Sequence, residues 1–486
     1  MTYPLTPIIS KEVKTWLDEP NQAHSLLQAF GSPLNVMFPA AVERNLLAYT
    51  DIFRHLGLQG EIFYAYKANK SVAILKQLSE TTAKIDVASE QELHHALAAG
   101  FNGSRIEATG PKNLSFLRSC ILHGITINLN SPDELRHVIA LTQSLHNSNP
   151  VPLFLRLKEF SSSIAEIFQK DVKFGFSITE AREAIKLFVQ EKNLLRFRGF
   201  SFHLTTISEK ERLIAIDQSL RMTLEALQLG LNPEGINIGG GWSLNHLTSS
   251  KEWSAYHSAL KDSILDSTHP VMTWNSTGLG YWAEKGKIRG SAQFSSFYRP
   301  QSQFEELEQL LDSELPQFGK LSSFLQENAM TLFIEPGRSL LDQAGISIAQ
   351  IQSCSRSLKG EQVLYLGMNR TQLNAGDLEF MSDPILLPAK KRILIPNNQG
   401  VFLSGNLCLP HDFMMRRKVF LQHKAEEGDL LVFINTAGYF MDFSESSSIQ
   451  HPLAQKIAVK KNRWYLDSQY PAPSLDSEIS TEESNI

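Results

Sequence analysis

At 486 residues the chain is long enough for two or more domains, one of which can be a large barrel. A hydrophobic fraction of 42% is ordinary for a globular protein, and a net charge of −5 gives no electrostatic reason to expect nucleic acid or an anionic membrane as partner. Only Cys120, Cys354 and Cys408 are present, Met1 to Lys11 lacks the pattern of a secretory leader, and no apolar stretch could span a bilayer, so a cytoplasmic protein without a disulfide framework is expected.

Residues 1–30 fit no βα repeat and are expected to pack on the C-terminal domain. From 31 to 344, short β-rich runs alternate with amphipathic stretches whose apolar residues recur at helical spacing. The runs are 62–66, 84–88, 105–109, 125–129, 152–157, 199–203, 235–239 and 331–335. Eight of them in βα alternation predict an α/β fold, a (β/α)8 barrel rather than an open sheet. An insertion around 243–330 stands out within this unit, rich in aromatics such as Trp253, Trp274, Trp282, Phe294 and Phe297. It reads either as a helical decoration of the barrel rim or as a lid and extra substrate wall. From 345 to 467 the texture becomes turn-rich, with candidate strands at 363–366, 392–395, 419–422, 430–434 and 464–466, which predicts a separate β domain, a barrel or sandwich. The tail 468–486 carries Pro471, Pro473, Asp476, Glu478, Glu482 and Glu483 and is expected to be disordered and acidic.

Reactive groups of such a barrel gather where its strands end. Those ends carry Lys67, then Asp86 and Ser89, then Gly110, Arg156, His203, Gly239-Gly240-Gly241 and Glu335-Pro336-Gly337-Arg338. Each has a plain reading: a solvated lysine, a satisfied core histidine, a turn of glycines, half of a salt bridge. Each also has a chemical one. A pocketed lysine can lose its proton by desolvation and attack carbonyls, and three glycines after a strand let backbone N–H groups approach a phosphate. A purely structural barrel does not need the whole polar set at one end.

The ordered motifs Tyr66-Lys67-Ala68-Asn69, Asp86-Val87-Ala88-Ser89 with Glu92, Lys173-Phe174-Gly175, His203 with Thr206, Gly239-Gly240-Gly241, Glu335-Pro336-Gly337-Arg338, Cys408 with Asp412, and Ala437-Gly438-Tyr439 resemble those of the fold-type III pyridoxal-phosphate decarboxylases, which include diaminopimelate, ornithine and arginine decarboxylases. The resemblance spans about residues 31–445 and implies an alanine-racemase-like barrel that binds pyridoxal 5'-phosphate. It implies that Lys67 holds the cofactor covalently and shuttles protons. Phosphate would rest on Gly239, Gly240, Gly241, Thr206, Gly337, Arg338 and Tyr439. His203 would stack on the ring, Asp86 and Arg156 would orient it, and Glu335 would keep the pyridine nitrogen protonated so that the ring draws electrons. Cys408 would return a proton to Cα, reaching across a homodimer into the partner's barrel.

Two departures bear on the substrate. The family's His-x-Gly-Ser is His203-Leu204-Thr205-Thr206 here, and the residue after Cys408, usually acidic where the substrate has a free distal amine, is Leu409. Leucine cannot pair with an ammonium. The expected substrate is therefore an amino acid whose distal end is acylated, such as a citryl-diamino acid of carboxylate-siderophore assembly, met by His411, Asp412 or residues of the insertion. The alternatives are a diaminopimelate or ornithine decarboxylase, an amino-acid racemase, which on this fold would tend to carry arginine where Glu335 stands, and a non-catalytic regulatory relative, which could have lost the cofactor residues retained here.

Overall fold

The barrel is closed by strands Gly60–Ala65, Lys84–Val87, Ile106–Ala108, Thr126–Leu129, Val151–Arg156, Leu195–Ser201, Gly235–Asn237 and Thr331–Ile334, every neighbouring pair parallel. This computed structural model describes residues 2–19, 21–160, 172–204, 208–373, 379–461 and 463–471. All eight sequence-predicted runs are barrel strands. They are short and largely buried because helices cover the outer face and side chains fill the inner one. The helices start on side-chain caps: Ser89, Asn113, Ser131, Ser177, Ser208 and Ser302 each accept a backbone N–H of the first turn.

Two layers fill the barrel interior. At one end Phe63, Phe154 and Phe333 form an apolar plug, with the Phe154 and Phe333 ring centroids 5.0 Å apart. The Arg198 guanidinium stacks on it, 4.8 Å from the Phe333 centroid and 5.1 Å from that of Phe154, and is tied to Glu234 and Thr126. Above the plug, towards the strands' C-terminal ends, the filling turns polar. That change of layer is what makes a site possible.

The second domain is built on the twelve-residue strand Gly345–Arg356, which pairs with Leu34–Met37, Gln362–Leu366 and Leu430–Phe433. The sequence reading assigned 345–356 no strand, although its first half is buried, and it placed Leu34–Met37 with the barrel. The latter strand pairs antiparallel with Gly345–Arg356 and parallel with Gln455–Lys460, so the chain begins this sheet before it enters the barrel. The strands foreseen at 363–366, 430–434 and 464–466 are present. Those foreseen at 392–395 and 419–422 are not: Ile393 is 92% exposed, and the two stretches meet where Lys424 N donates to Ile395 O at 2.8 Å and Asn397 N to Gln422 O at 3.0 Å, around the isolated bridge Pro396↔His423, while Val419 bridges Val401. A single bridge does not extend into a strand ladder. The predicted tail lies mostly outside the described residues.

The insertion is not a separate flap. Leu247, Tyr256, Leu260, Met272, Leu279 and Phe297 share one buried core with Leu5 and with Ile351, Leu364, Phe380, Leu403 and Phe440 of the second domain. Trp274 N donates to Arg416 O at 2.7 Å, and Lys418 N to Met272 O at 2.8 Å. The N-terminal segment joins the same contact, with Leu5 N donating to Asp383 Oδ2 at 2.9 Å. No helix among the described residues is long and apolar enough to cross a membrane.

Candidate active site

Polar side chains on neighbouring strands form a hydrogen-bonded belt above the aromatic plug. Ser201 Oγ donates to Asn128 Oδ1 at 2.6 Å, Asn128 Nδ2 to Glu107 Oε1 at 2.8 Å, and Asn237 Nδ2 to Glu335 Oε1 at 2.8 Å. Asn237 Nδ2 also lies 3.2 Å from both Glu107 oxygens. Asp86 is the register partner of Glu107, and its Oδ1 accepts from Thr109 Oγ1 at 2.5 Å. Three carboxyl groups thus share a buried interior. Burial, then the neighbouring Glu335 and Asp86, pushes Glu107 well above the usual carboxylate range. Burial and Asp86 push Glu335 up to about 7.

Lys67 sits in a short 3-10 turn, Tyr66–Ala68, immediately after the first barrel strand, with Nζ 3.7 Å from Asp86 Oδ2. Desolvation can strip the proton from a pocketed lysine. Burial does work in that direction, but Asp86, Tyr439 and Glu335 outweigh it and hold the ammonium above the ordinary lysine range. Lys67 is therefore a charged lysine until something displaces that balance. His203 is the reverse case: burial, with Lys67 and Arg156 adding to it, lowers its pKa to about 3. A neutral, flat imidazole faces the cavity.

The cavity, about 280 Å³, is walled by Lys67, His203, Gly240, Gly241, Glu335, Gly337, Arg338 and Tyr439, and by Trp242 to Leu244, His246, Ser295, Ser296 and Arg299. Glycine is required at its rim. Gly239 has φ +66°, and a Cβ on Gly240 would meet Glu335 O at 2.5 Å. Arg212 braces this loop from behind, its Nη1 donating to Gly240 O at 3.0 Å while its guanidinium stacks 4.3 Å from the Trp242 ring. Tyr439, from the second domain, is locked by its N–H donating to Ala68 O at 2.9 Å.

The expected residues are brought together to different degrees. Lys67, His203, Gly240, Gly241, Glu335, Gly337, Arg338 and Tyr439 line one cavity, Gly239 shapes its loop, and Asp86 stands against Lys67. Arg156 ends its strand with the guanidinium 5.9 Å from the Phe174 ring and interacts through space with Glu335, Asp86 and Glu107. Thr206 lies outside the described residues. Cys408 is exposed and lines a different cavity, with Trp274, Tyr365, Leu409 and Phe413. His411 is exposed, but Asp412 is buried and turned inward: Oδ1 accepts Arg370 N at 2.8 Å and Oδ2 accepts Leu407 N at 2.7 Å. Sequence reasoning missed Glu107, Asn128, Asn237 and Arg212. The signal for Glu107 was available, as an acidic residue in the middle of a buried run, Ile106-Glu107-Ala108.

A pyridine ring bearing a phosphate, an aldehyde and a ring nitrogen fits this donor set. Arg338 Nε is buried without a hydrogen-bond partner among the described residues, and Asp86 Oδ2 has the Lys67 ammonium 3.7 Å away but no hydrogen bond. Such atoms are costly unless a ligand satisfies them. Lys67, Glu335 and the glycine loop match in turn an aldehyde, a ring nitrogen and a phosphate.

The comparisons with known proteins agree. The model of the pyridoxal-binding domain of pyridoxal-dependent decarboxylases matches residues 40–288. The uncharacterized protein y4yA of Sinorhizobium fredii is 29% identical over 434 residues, 88% of each chain. Diaminopimelate decarboxylase of Staphylococcus aureus is 23% identical over 88% of this chain and 89% of that one. Among solved structures, diaminopimelate decarboxylase from M. jannaschii with L-lysine superposes with a TM-score of 0.68 at 18% identity, covering 92% of this chain and 91% of that one. The Paramecium bursaria Chlorella virus arginine decarboxylase superposes with a TM-score of 0.63 at 17% identity, covering 90% and 99%. With the fold and the donor set already in place, this chain belongs to the pyridoxal-dependent decarboxylase family and is an amino-acid decarboxylase whose cofactor is pyridoxal 5'-phosphate.

Proposed function

We propose that this decarboxylase acts on an amino acid whose distal amine is acylated, a citryl-diamino acid of the carboxylate-siderophore type being the best candidate. The carrying observation is the surface beside Cys408. The next residue is Leu409, 46% exposed, and the nearby Asp412 spends both carboxylate oxygens on loop N–H groups. The surrounding walls, Trp274, Tyr365, Leu407, Pro410 and Phe413, offer no charge to a free ammonium.

Within this reading Lys67 would carry the cofactor, which when bound would supply an electron sink for the electrons left on Cα. Glu335, held by Asn237, would meet the ring nitrogen, and neutral His203 would face the ring. Gly239 to Gly241, Gly337, Arg338 and Tyr439 would hold the phosphate. Asp86 sets the charge of Lys67 before loading. Cys408, exposed on its loop and outside the Lys67 cavity of its own chain, supplies the final proton to Cα in a partner subunit, which makes the active unit a homodimer. Diaminopimelate decarboxylation is the second reading, favoured by the names of several relatives.

The test is CO2 release from free ornithine, lysine and diaminopimelate beside citryl-ornithine, with products identified by mass spectrometry. Turnover confined to the acylated substrate is expected. Efficient turnover of a free diamino acid would refute the substrate assignment and leave the decarboxylase class intact.

A further inference from the structure

The insertion adds something to the Lys67 cavity that the barrel does not supply. Three of its residues, Ser295, Ser296 and Arg299, line the same cavity as Gly241 and Arg338. Their segment is fixed at several points. Arg299 N donates to Asn245 Oδ1 at 3.1 Å, His246 N donates to Phe297 O at 2.8 Å, and the His246 ring stacks on Phe297 with centroids 4.4 Å apart. Ser296 Oγ is spent on Tyr298 O at 2.7 Å, whereas neither Ser295 nor Arg299 makes a side-chain hydrogen bond among the described residues.

Arg299 Nε is buried without a partner, and so is Arg338 Nε on the same cavity. Among the described residues the carboxylate in the wall is that of Glu335, and its Oε1 already accepts from Asn237. A solvated surface arginine would keep Nε in water, and a structural one would pair it. Two guanidinium groups lining one cavity, each with Nε unpartnered among the described residues, are charges whose desolvation an incoming anion offsets.

We propose that Arg299, with the Ser295 hydroxyl beside it, is an oxyanion subsite that the insertion contributes to the cofactor cavity. It takes either the phosphate of the cofactor or a carboxylate of the substrate. The inference rests on this cavity being the cofactor site, and its test reads binding rather than turnover. Bidentate guanidinium–oxyanion contacts are strong and geometrically specific, so their loss is readable in an affinity.

Arg299→Met apoprotein is titrated with pyridoxal 5'-phosphate and with pyridoxal, which lacks the phosphate. The loaded protein is titrated with citrate by calorimetry. If the subsite takes the phosphate, affinity for pyridoxal 5'-phosphate falls roughly ten- to hundred-fold while that for pyridoxal holds. If it takes a substrate carboxylate, cofactor affinity holds and citrate binding falls by a similar factor. Wild-type affinity for both anions would overturn the proposal. Should Arg299→Met fail to fold, Arg299→Gln is read in the same way. Loss of citrate binding in a protein that turns over no citryl substrate would sink the substrate and keep the subsite.

Discussion

The two cavities to which the proposed chemistry assigns Lys67 and Cys408 are built in opposite ways. The Lys67 end is assembled within one chain, on strand ends, over a belt in which Asp86, Glu107 and Glu335 share one buried layer. The Cys408 end is a loop on the second domain, walled by Trp274 from the insertion and exposed in its own chain. Rigid strands keep the cofactor chemistry fixed, while a loop and an insertion are free to change what is decarboxylated. The difference teaches where to look for substrate choice: in the loop and the insertion rather than on the strand ends.

The largest effects are expected on the barrel side. Lys67→Ala should lower turnover by at least about three orders of magnitude, measured as CO2 release. On the other side Cys408→Ala should cost about 10²- to 10⁴-fold in kcat, as for loss of a general acid. Mixing the two inactive variants should restore activity if Cys408 serves the partner's barrel. Mixtures as dead as their parents would place both residues in one chain's site and erase the contrast.

Glu335→Gln sharpens it through pH. In the fold this carboxyl keeps its proton up to about pH 7, whereas in the unfolded chain it ionises near its ordinary value of 4.5. The folded apoprotein binds the extra proton between those values, so it loses stability as pH rises through that window. The variant lacks this loss. Its melting temperature should match the wild type below about pH 4.5 and exceed it above pH 7. A gap that widens toward acid would mean that Glu335 is not held neutral.

Leu409→Glu should raise kcat/KM for free ornithine or lysine by about ten-fold, since a carboxylate beside Cys408 can pair with a distal ammonium. The smallest expected effect is that of Trp274→Ala. It removes a half-buried ring packed 4.5 Å from Phe413 and 5.1 Å from Phe402, for a loss of ~1–2 kcal/mol in denaturant unfolding. That substitution should also raise KM, because the ring walls the Cys408 cavity.

The barrel was legible because its signal is local: a buried run, then a polar residue where the run ends, repeated around the circle. The second domain was less so. Gly345–Arg356 alternates too weakly to announce itself, and Leu34–Met37 joins it from more than three hundred residues away, a pairing no local pattern encodes. The same reason hid the belt. Asn128, Asn237 and Glu107 become one network only when the barrel closes, and Arg299 enters the cavity only because the insertion folds back onto it.

Borohydride reduction of the purified holoprotein followed by peptide mass mapping tests the central claim most directly. A pyridoxyl adduct on the peptide containing Lys67, with no other lysine labelled, is the expected result. An adduct on a different lysine, or none in a protein that still turns over, would contradict it.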